Sequence, residues 1–413
     1  EKPTYKKFAS GLHEPLGLTL HKGDLYTVQR SELTRLRDTD DDGRADEYLT
    51  HAKGWGVTGN YHEYAYGPTM DGAGNLWIAL NCSIGKGSNP NNQWRGWSLA
   101  VKPDGTWSPV SGGFRSPSGI GTNLAGDVFA TDQQGNWFPT CPLMHIKRGA
   151  FHGHADALQF TKLPGATFKV KQPLPRNLTV AEAAIRIPAY QLPAVWFPYR
   201  KMGMSTTDIL ADSTKGKFGP FAGQLFCGEF TMSFVSRVFL EKVDGEYQGA
   251  CFRFREGLDC AALRLQWGTD GSMYIGQSNR GWNSLGTKSY GLQRLQWTGK
   301  VPFEIKEMSA RPRGFRLTFT QLGDATTLIN PKSYTVTSYT YPYQSKYGGE
   351  PIDLKTHTVK VDGLDTTWQS VQLTLDEMRP GYVYELQASG IRNTQGQPLL
   401  HSAAYYTLNR VPK

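Results

Sequence analysis

Tyr66-Gly-Pro-Thr-Met-Asp-Gly-Ala-Gly-Asn-Leu-Trp77 sets out a Gly-containing turn, a strand, a polar Gly turn and a second strand with an aromatic residue. The pattern returns over Pro15–Tyr26, Pro117–Phe129 and Leu265–Tyr274. A fifth copy is split by an insertion, with Met202–Thr207 on one side and Phe221–Glu229 on the other. Each copy reads as two strands joined by a turn, and further strands such as Val235–Leu240 follow. Units of about 40–50 residues built from short antiparallel strands predict a β-propeller, and the length up to residue 300 leaves room for six blades. The Pro-rich stretch Lys162–Pro193 shows no clean copy and reads as an excursion between blades, with a short helix at Val180–Ile185. After Trp297–Pro302 the pattern changes. Strands are expected at Phe315–Thr320, Ser333–Tyr341, Thr356–Val361, Gln369–Leu375, Tyr382–Ala388 and Tyr405–Leu408. That spacing predicts an immunoglobulin-like β-sandwich. The expected chain is therefore all-β: a six-bladed propeller over residues 1–300, catalytic or ligand-binding, then a sandwich over 301–413.

Composition agrees. The 413 residues carry Gly 46, Pro 24, Tyr 20, Phe 19 and Trp 11, a turn-rich and aromatic-rich balance that suits pleated surfaces and tight corners and excludes a helical bundle. No run of 18 apolar residues occurs, so no transmembrane helix is expected. The net charge is +9, but its Lys and Arg residues are dispersed, which argues against a nucleic-acid partner and leaves an anionic ligand such as an acidic glycan open. Five cysteines (Cys82, Cys141, Cys227, Cys251, Cys260) lack CxxC or CxxCH spacing, so zinc ribbons, thioredoxin chemistry and covalent haem are not expected. Cys251 and Cys260 are close enough in sequence to close a short loop, though pairing is not readable from spacing. The first residue is Glu1 rather than Met, which suits a trimmed, secreted or periplasmic chain.

Several stretches carry a likeness to known families. His62 precedes a Gly-Pro-x-x-Asp-Gly turn, Arg115 lies in Phe114–Ile120, a polar loop runs over Thr131–Gly135, and His145–His154 holds three histidines. Together they resemble the soluble quinoprotein sugar dehydrogenases, six-bladed propellers that bind pyrroloquinoline quinone (PQQ) and calcium. A closer likeness is to large secreted proteins of planctomycetes and verrucomicrobia named for membrane-bound dehydrogenases. It rests on Asp132–Trp137, Phe218–Phe226 and Gly291–Gly299. The resemblance implies PQQ as cofactor, His62 as the base that takes the sugar hydroxyl proton, and Arg115 as the group that stabilises the developing oxyanion. The chain departs from the dehydrogenase pattern at Ser116 and at Glu229, where that pattern has a basic residue to meet a cofactor carboxylate.

Residue chemistry gives further candidates. Asp38, Asp40 and Asp42 fall at positions 1, 3 and 5 of a calcium loop, with the Arg44 carbonyl and Asp46 at positions 7 and 9. Position 12 is Leu49, so a simpler acidic calcium loop, structural in role, is expected instead of an EF-hand. His62 can accept a proton near neutral pH, with Tyr61 and Tyr64 beside it. His152 and His154 are two apart and on a strand would share one face, serving a metal, a polar site or the structure, with the turn glycine Gly153 between them leaving that geometry open. Asp132, Gln134, Asn136 and Trp137 form a polar loop suited to ligand contact, as do Arg280 and Trp282 at another strand end. Trp94, Arg95 and Trp97, in the insertion Gly85–Trp97, suit either sugar stacking or a filled blade junction.

Three readings follow from these residues. The first is an extracytoplasmic PQQ-dependent sugar dehydrogenase. The second is a polysaccharide lyase for acidic glycans, in which His62 or a neighbouring Tyr abstracts the proton beside a uronate and Arg115 or Arg280 neutralises its carboxylate. The third is a glycan-binding propeller without catalysis.

Overall fold

The computed structural model describes residues 4–85 and 91–413, so residues 86–90 of the Gly85–Trp97 insertion lie outside the described residues. The chain is nearly all β, in antiparallel sheets. It divides into two compact units: one comprises residues 1–130 and 146–174, the other residues 131–145 and 175–413.

The first unit holds two four-stranded meanders. One runs Leu18–His21, Asp24–Val28, Glu32–Arg37, Glu47–Lys53, and the other Ala65–Met70, Leu76–Leu80, Trp97–Val101, Trp107–Gly112. The repeated sequence motif forms the first hairpin of each. In the first meander His21 pairs with Asp24 around Lys22 and Gly23, both at positive φ. Such a two-residue turn matches the right-handed twist of the strands it joins. The glycine that opens the motif in these two meanders has a packing reason. A Cβ on Gly17 would sit 2.4 Å from the Gly67 carbonyl oxygen, and one on Gly67 would sit 2.6 Å from that of Trp77. Backbones therefore approach where only glycine fits. Trp97 is fully buried and stacks on Phe168 at 4.6 Å, and Trp94 is also buried with its ring edge-on to Trp97. The two indoles thus fill the core.

In the second unit a meander runs Thr206–Ala211, Leu225–Glu229, Phe234–Val243, Glu246–Arg255. Its last strand pairs with Ala403–Leu408, so the sheet continues through Tyr382–Gln387, Thr335–Thr340 and Ile352–Thr356 to eight strands. A four-stranded sheet of Ile305–Arg311, Gly314–Phe319, Ser370–Leu375 and Val359–Leu364 shares a core with it. Phe315, Leu317, Val371 and Leu373 pack there with Val336, Tyr384, Leu386 and Tyr406. The three-stranded sheet Ala262–Trp267, Met273–Ser278, Tyr290–Leu295 packs through Leu265, Met273 and Ile275 on Phe218, Phe226 and Val235. The expected short helix forms at Val180–Arg186, started by a capping box between Thr179 and Glu182. All five cysteines are buried, and none forms a disulfide.

Candidate functional site

The turn carrying His62 lies between the two meanders of the first unit and is held by two buried arginines. Arg30, at the end of Asp24–Val28 and its following turn, donates to the carbonyls of Asn60 (2.9 Å) and Tyr61 (2.8 Å). Its Nε–H meets the Glu14 carboxylate, and its guanidinium lies 4.4 Å from the centre of the Tyr64 ring. Arg95 donates to the carbonyls of Gly56, Glu63, Tyr64 and Arg30. Its desolvation lowers its pKa to about 9. Glu63 is fully buried. Burial works to raise its carboxyl pKa, but hydrogen bonds from Ser83 and Thr58, aided by Arg95, hold it below the ordinary value. Asn60 closes the turn by accepting the His62 N–H at 2.9 Å. A turn fixed at four carbonyls holds its side chains in one geometry.

His62 itself is partly buried, with the Tyr61 ring edge-on at 5.4 Å and Tyr61 in turn against Tyr64. Burial, then the charges of Arg115 and Arg30, push its imidazole pKa below the usual histidine value. Burial and these charges therefore favour the neutral form of the ring. Arg115 is buried, and its charge is also felt at His154 and Asp156. Burial and Arg115 lower the His154 pKa to about 3, and burial raises that of Asp156. The structure thus brings His62, Arg115, Tyr61, Tyr64 and His154 into one unit. His152 turns elsewhere: its Nε2 meets the Ser111 hydroxyl at 3.2 Å and its ring packs on Phe114. Gly153, at φ +117, breaks the strand geometry that would have put the two histidines on one face. His145 belongs to the second unit, where its ring is edge-on to Tyr247. The signals for Arg30, Glu63, Cys82 and Asp156 were not readable as spacing. Each sits in a different turn, and the topology alone brings them together.

In the second unit the polar loop is braced by its own surroundings. Asp132 Oδ1 accepts the Gln133 N–H, Gln134 donates to the Pro139 carbonyl, and Asn136 donates to the Ser345 carbonyl. Trp137, at φ +66, donates its N–H to the Gln344 carbonyl and rests its ring on Tyr343. Glu229 is buried and accepts three backbone N–H groups, from Met204, Ser205 and Met232. Burial outweighs these bonds and raises its pKa to about 6. Arg280 is exposed with its N–H on the Ser278 hydroxyl, and Trp282 is 67% exposed, an indole open to a flat apolar face. In the acidic loop of the first unit, carboxylate oxygens of Asp38, Asp40 and Asp42 lie within 4.8 Å of one another. Asp38 accepts the Gly43 N–H, while Asp46 accepts the N–H and hydroxyl of Thr39 and so braces the loop.

The chain is a member of the family described as "Domain of unknown function (DUF7133)", matched over residues 4–249. Among solved structures it is similar to the apo-form of the soluble aldose sugar dehydrogenase of Escherichia coli, with 14% identity over 63% of this chain and 73% of that one, TM-score 0.41. It is also similar to the PQQ-bound aldose sugar dehydrogenase of Streptomyces coelicolor, with 15% identity over 70% and 96%, TM-score 0.34. A carbohydrate-active enzyme of family AA12 from Trichoderma reesei matches with 12% identity over 67% and 80%, TM-score 0.43. No curated protein matches the chain by sequence.

Proposed function

We propose that the protein is an extracytoplasmic sugar dehydrogenase. Its six-bladed propeller spans residues 1–300, an immunoglobulin-like sandwich spans 301–413, and the reacting groups are His62 and Arg115. What supports this reading is the partly buried His62 imidazole on a turn fixed through its backbone by Arg30 and Arg95, with its pKa lowered by burial and by the charges of Arg115 and Arg30. A sugar hydroxyl that hydrogen-bonds to His62 gives its proton to the imidazole as a hydride leaves the same carbon and the C=O bond forms. Arg115 stabilises the negative charge that builds on that oxygen. PQQ, when bound, supplies the two-electron acceptor. Arg115, a buried cation whose charge is felt at His62, is the residue proposed to meet a quinone carboxylate or oxygen. Glu229 adds nothing to that role, since its carboxylate is engaged by three backbone N–H groups.

The same pair of guanidiniums favours a second reading, a lyase for acidic glycans. There His62 removes the proton beside a uronate carboxylate that Arg115 neutralises, and the glycosidic C–O bond breaks as a C=C bond forms. Two parallel assays on the full chain separate them. Dye reduction with aldoses in the presence of PQQ and calcium supports the dehydrogenase, and ultraviolet-absorbing unsaturated ends released from uronic-acid polymers support the lyase. Silence in both, together with sugar binding unchanged in H62A, leaves a binding protein and ends both catalytic readings.

The acidic loop is proposed as a structural calcium site held by Asp38, Asp40 and Asp42 with the Arg44 carbonyl, Asp46 serving as brace. Three carboxylate oxygens within 4.8 Å of one another suit a hard dication. EDTA is expected to lower the unfolding temperature, and calcium to restore it. A D40N variant indifferent to both treatments agrees with the assignment, whereas a wild type equally indifferent refutes it.

A further inference from the structure

We propose that Cys82, His154 and Asp156 form a site for a zinc-class divalent ion, a role independent of the sugar chemistry above. A sulfur, a nitrogen and a carboxylate oxygen from these three residues lie within 4.8 Å of one another. In a tetrahedral zinc site such donors stand roughly 3.3–3.8 Å apart, so contraction of about an ångström completes three coordination positions. Thiolate, imidazole and carboxylate together select this class of metal over calcium or magnesium, which take oxygen alone.

The scaffold presents these donors from opposite sides of one segment. Cys82 follows the strand Leu76–Leu80, and its N–H donates to the Arg115 carbonyl at 2.9 Å. On the other side the N–H groups of His152 and His154 donate to the carbonyls of Gly112 (2.8 Å) and Gly113 (3.0 Å). Residues 112–115 therefore pin both ligand-bearing stretches. His154 then caps the short 3-10 helix Ala155–Phe160, which places Asp156 in its first turn, and Trp97 clamps that helix by donating from its indole to the Ala157 carbonyl at 3.0 Å. Cys82 and His154 are both almost fully buried, whereas Asp156 is partly exposed and opens the cluster to solvent. A Cβ on Gly96 would stand only 3.6 Å from the Cys82 Cβ, so the cysteine is packed in place.

The charges balance. In the absence of metal the Cys82 thiol hydrogen-bonds to the Asp156 carboxylate, and Arg115 offsets that carboxylate's charge. On metal binding the Sγ–H proton is released to water, and the thiolate and carboxylate together neutralise the dication. A fourth position stays open for water or a ligand oxygen.

The test uses the full chain with zinc or cobalt alone. After chelation and dialysis, one equivalent of Zn2+ is expected to bind. Co2+ is expected to produce a thiolate-to-cobalt charge-transfer band in the near ultraviolet. C82S should abolish the band and weaken zinc binding by roughly a hundredfold, D156N should weaken it by roughly tenfold, and C260S, whose thiol lies in the other unit, should keep the band. Circular dichroism confirms that each variant is folded, and D156N, which keeps size and shape, serves if C82S is not. Absence of stoichiometric binding by the folded wild type, or a band that survives in C82S, overturns the proposal.

Discussion

The His62 turn of the first unit and the Asp132–Trp137 loop with Glu229 in the second both look like polar, ligand-facing segments in the sequence, yet their polar atoms have different destinations. Around Glu229 the carboxylate and amide groups are engaged by backbone N–H and carbonyl groups, so they hold the loop's shape. Around His62 the backbone is held by Arg30 and Arg95, and the imidazole is left to respond to charge. A side chain that braces a fold and one that does chemistry can occupy similar motifs. What separates them is whether the bonds that fix the segment run through that side chain or through its neighbours.

Three substitutions probe this contrast. Glu229→Ala leaves three part-buried backbone N–H groups without their acceptor, at up to about 1–3 kcal/mol each. Urea denaturation should show a loss large enough to compromise folding. A Glu229→Ala protein with wild-type stability would erase the bracing role assigned to that carboxylate. A smaller effect is expected at His62. Its folded pKa is lowered below 6.5 by burial, Arg115 and Arg30, so the ring stays neutral, and competent as a base, down into mildly acidic solution. Removing one cation in Arg115→Gln should move the imidazole titration, followed by NMR, toward higher pH, and the acid limb of activity should move with it. An unmoved titration would show that Arg115 does not face the ring. The smallest effect belongs to Trp282, whose exposed indole braces nothing visible among the described residues. Trp282→Ala should change stability by no more than about 0.5 kcal/mol. Any loss of sugar affinity measured by calorimetry would then mark a stacking surface.

Much of the fold was legible because its signal is local. Pro15–Tyr26, Tyr66–Trp77, Pro117–Phe129 and Leu265–Tyr274 each contain strands with the expected turn between them, and the close approach at Gly17 and Gly67 explains why glycine opens the motif. The helix at Val180–Arg186 was readable from its composition, and its capping box accounts for where it starts. The continuation of the Thr206–Arg255 meander into Ala403–Leu408 was not readable, because pairing across some 150 residues leaves no periodic trace. The site divides in the same way. His62 and Arg115 stood out by residue type and motif, whereas Arg30, Glu63, Cys82 and Asp156 join them only through the way the turns meet. His152 and His154 lie outside any strand, with Gly153 at φ +117 between them, so the two-residue periodicity of a strand does not describe their geometry. Trp94 and Trp97 could equally have been ligand platforms, and packing on Phe168 and on each other assigns them to the core.

The central claim is that His62 accepts the proton in sugar turnover. It is tested most directly by the turnover number of His62→Gln, measured with the sugar, acceptor and metal conditions that give wild-type activity. Gln keeps a polar side chain of similar reach but takes up no proton, so turnover should fall by roughly 10²–10⁴-fold while the unfolding midpoint stays near that of the wild type. A folded His62→Gln protein with undiminished turnover would contradict the account.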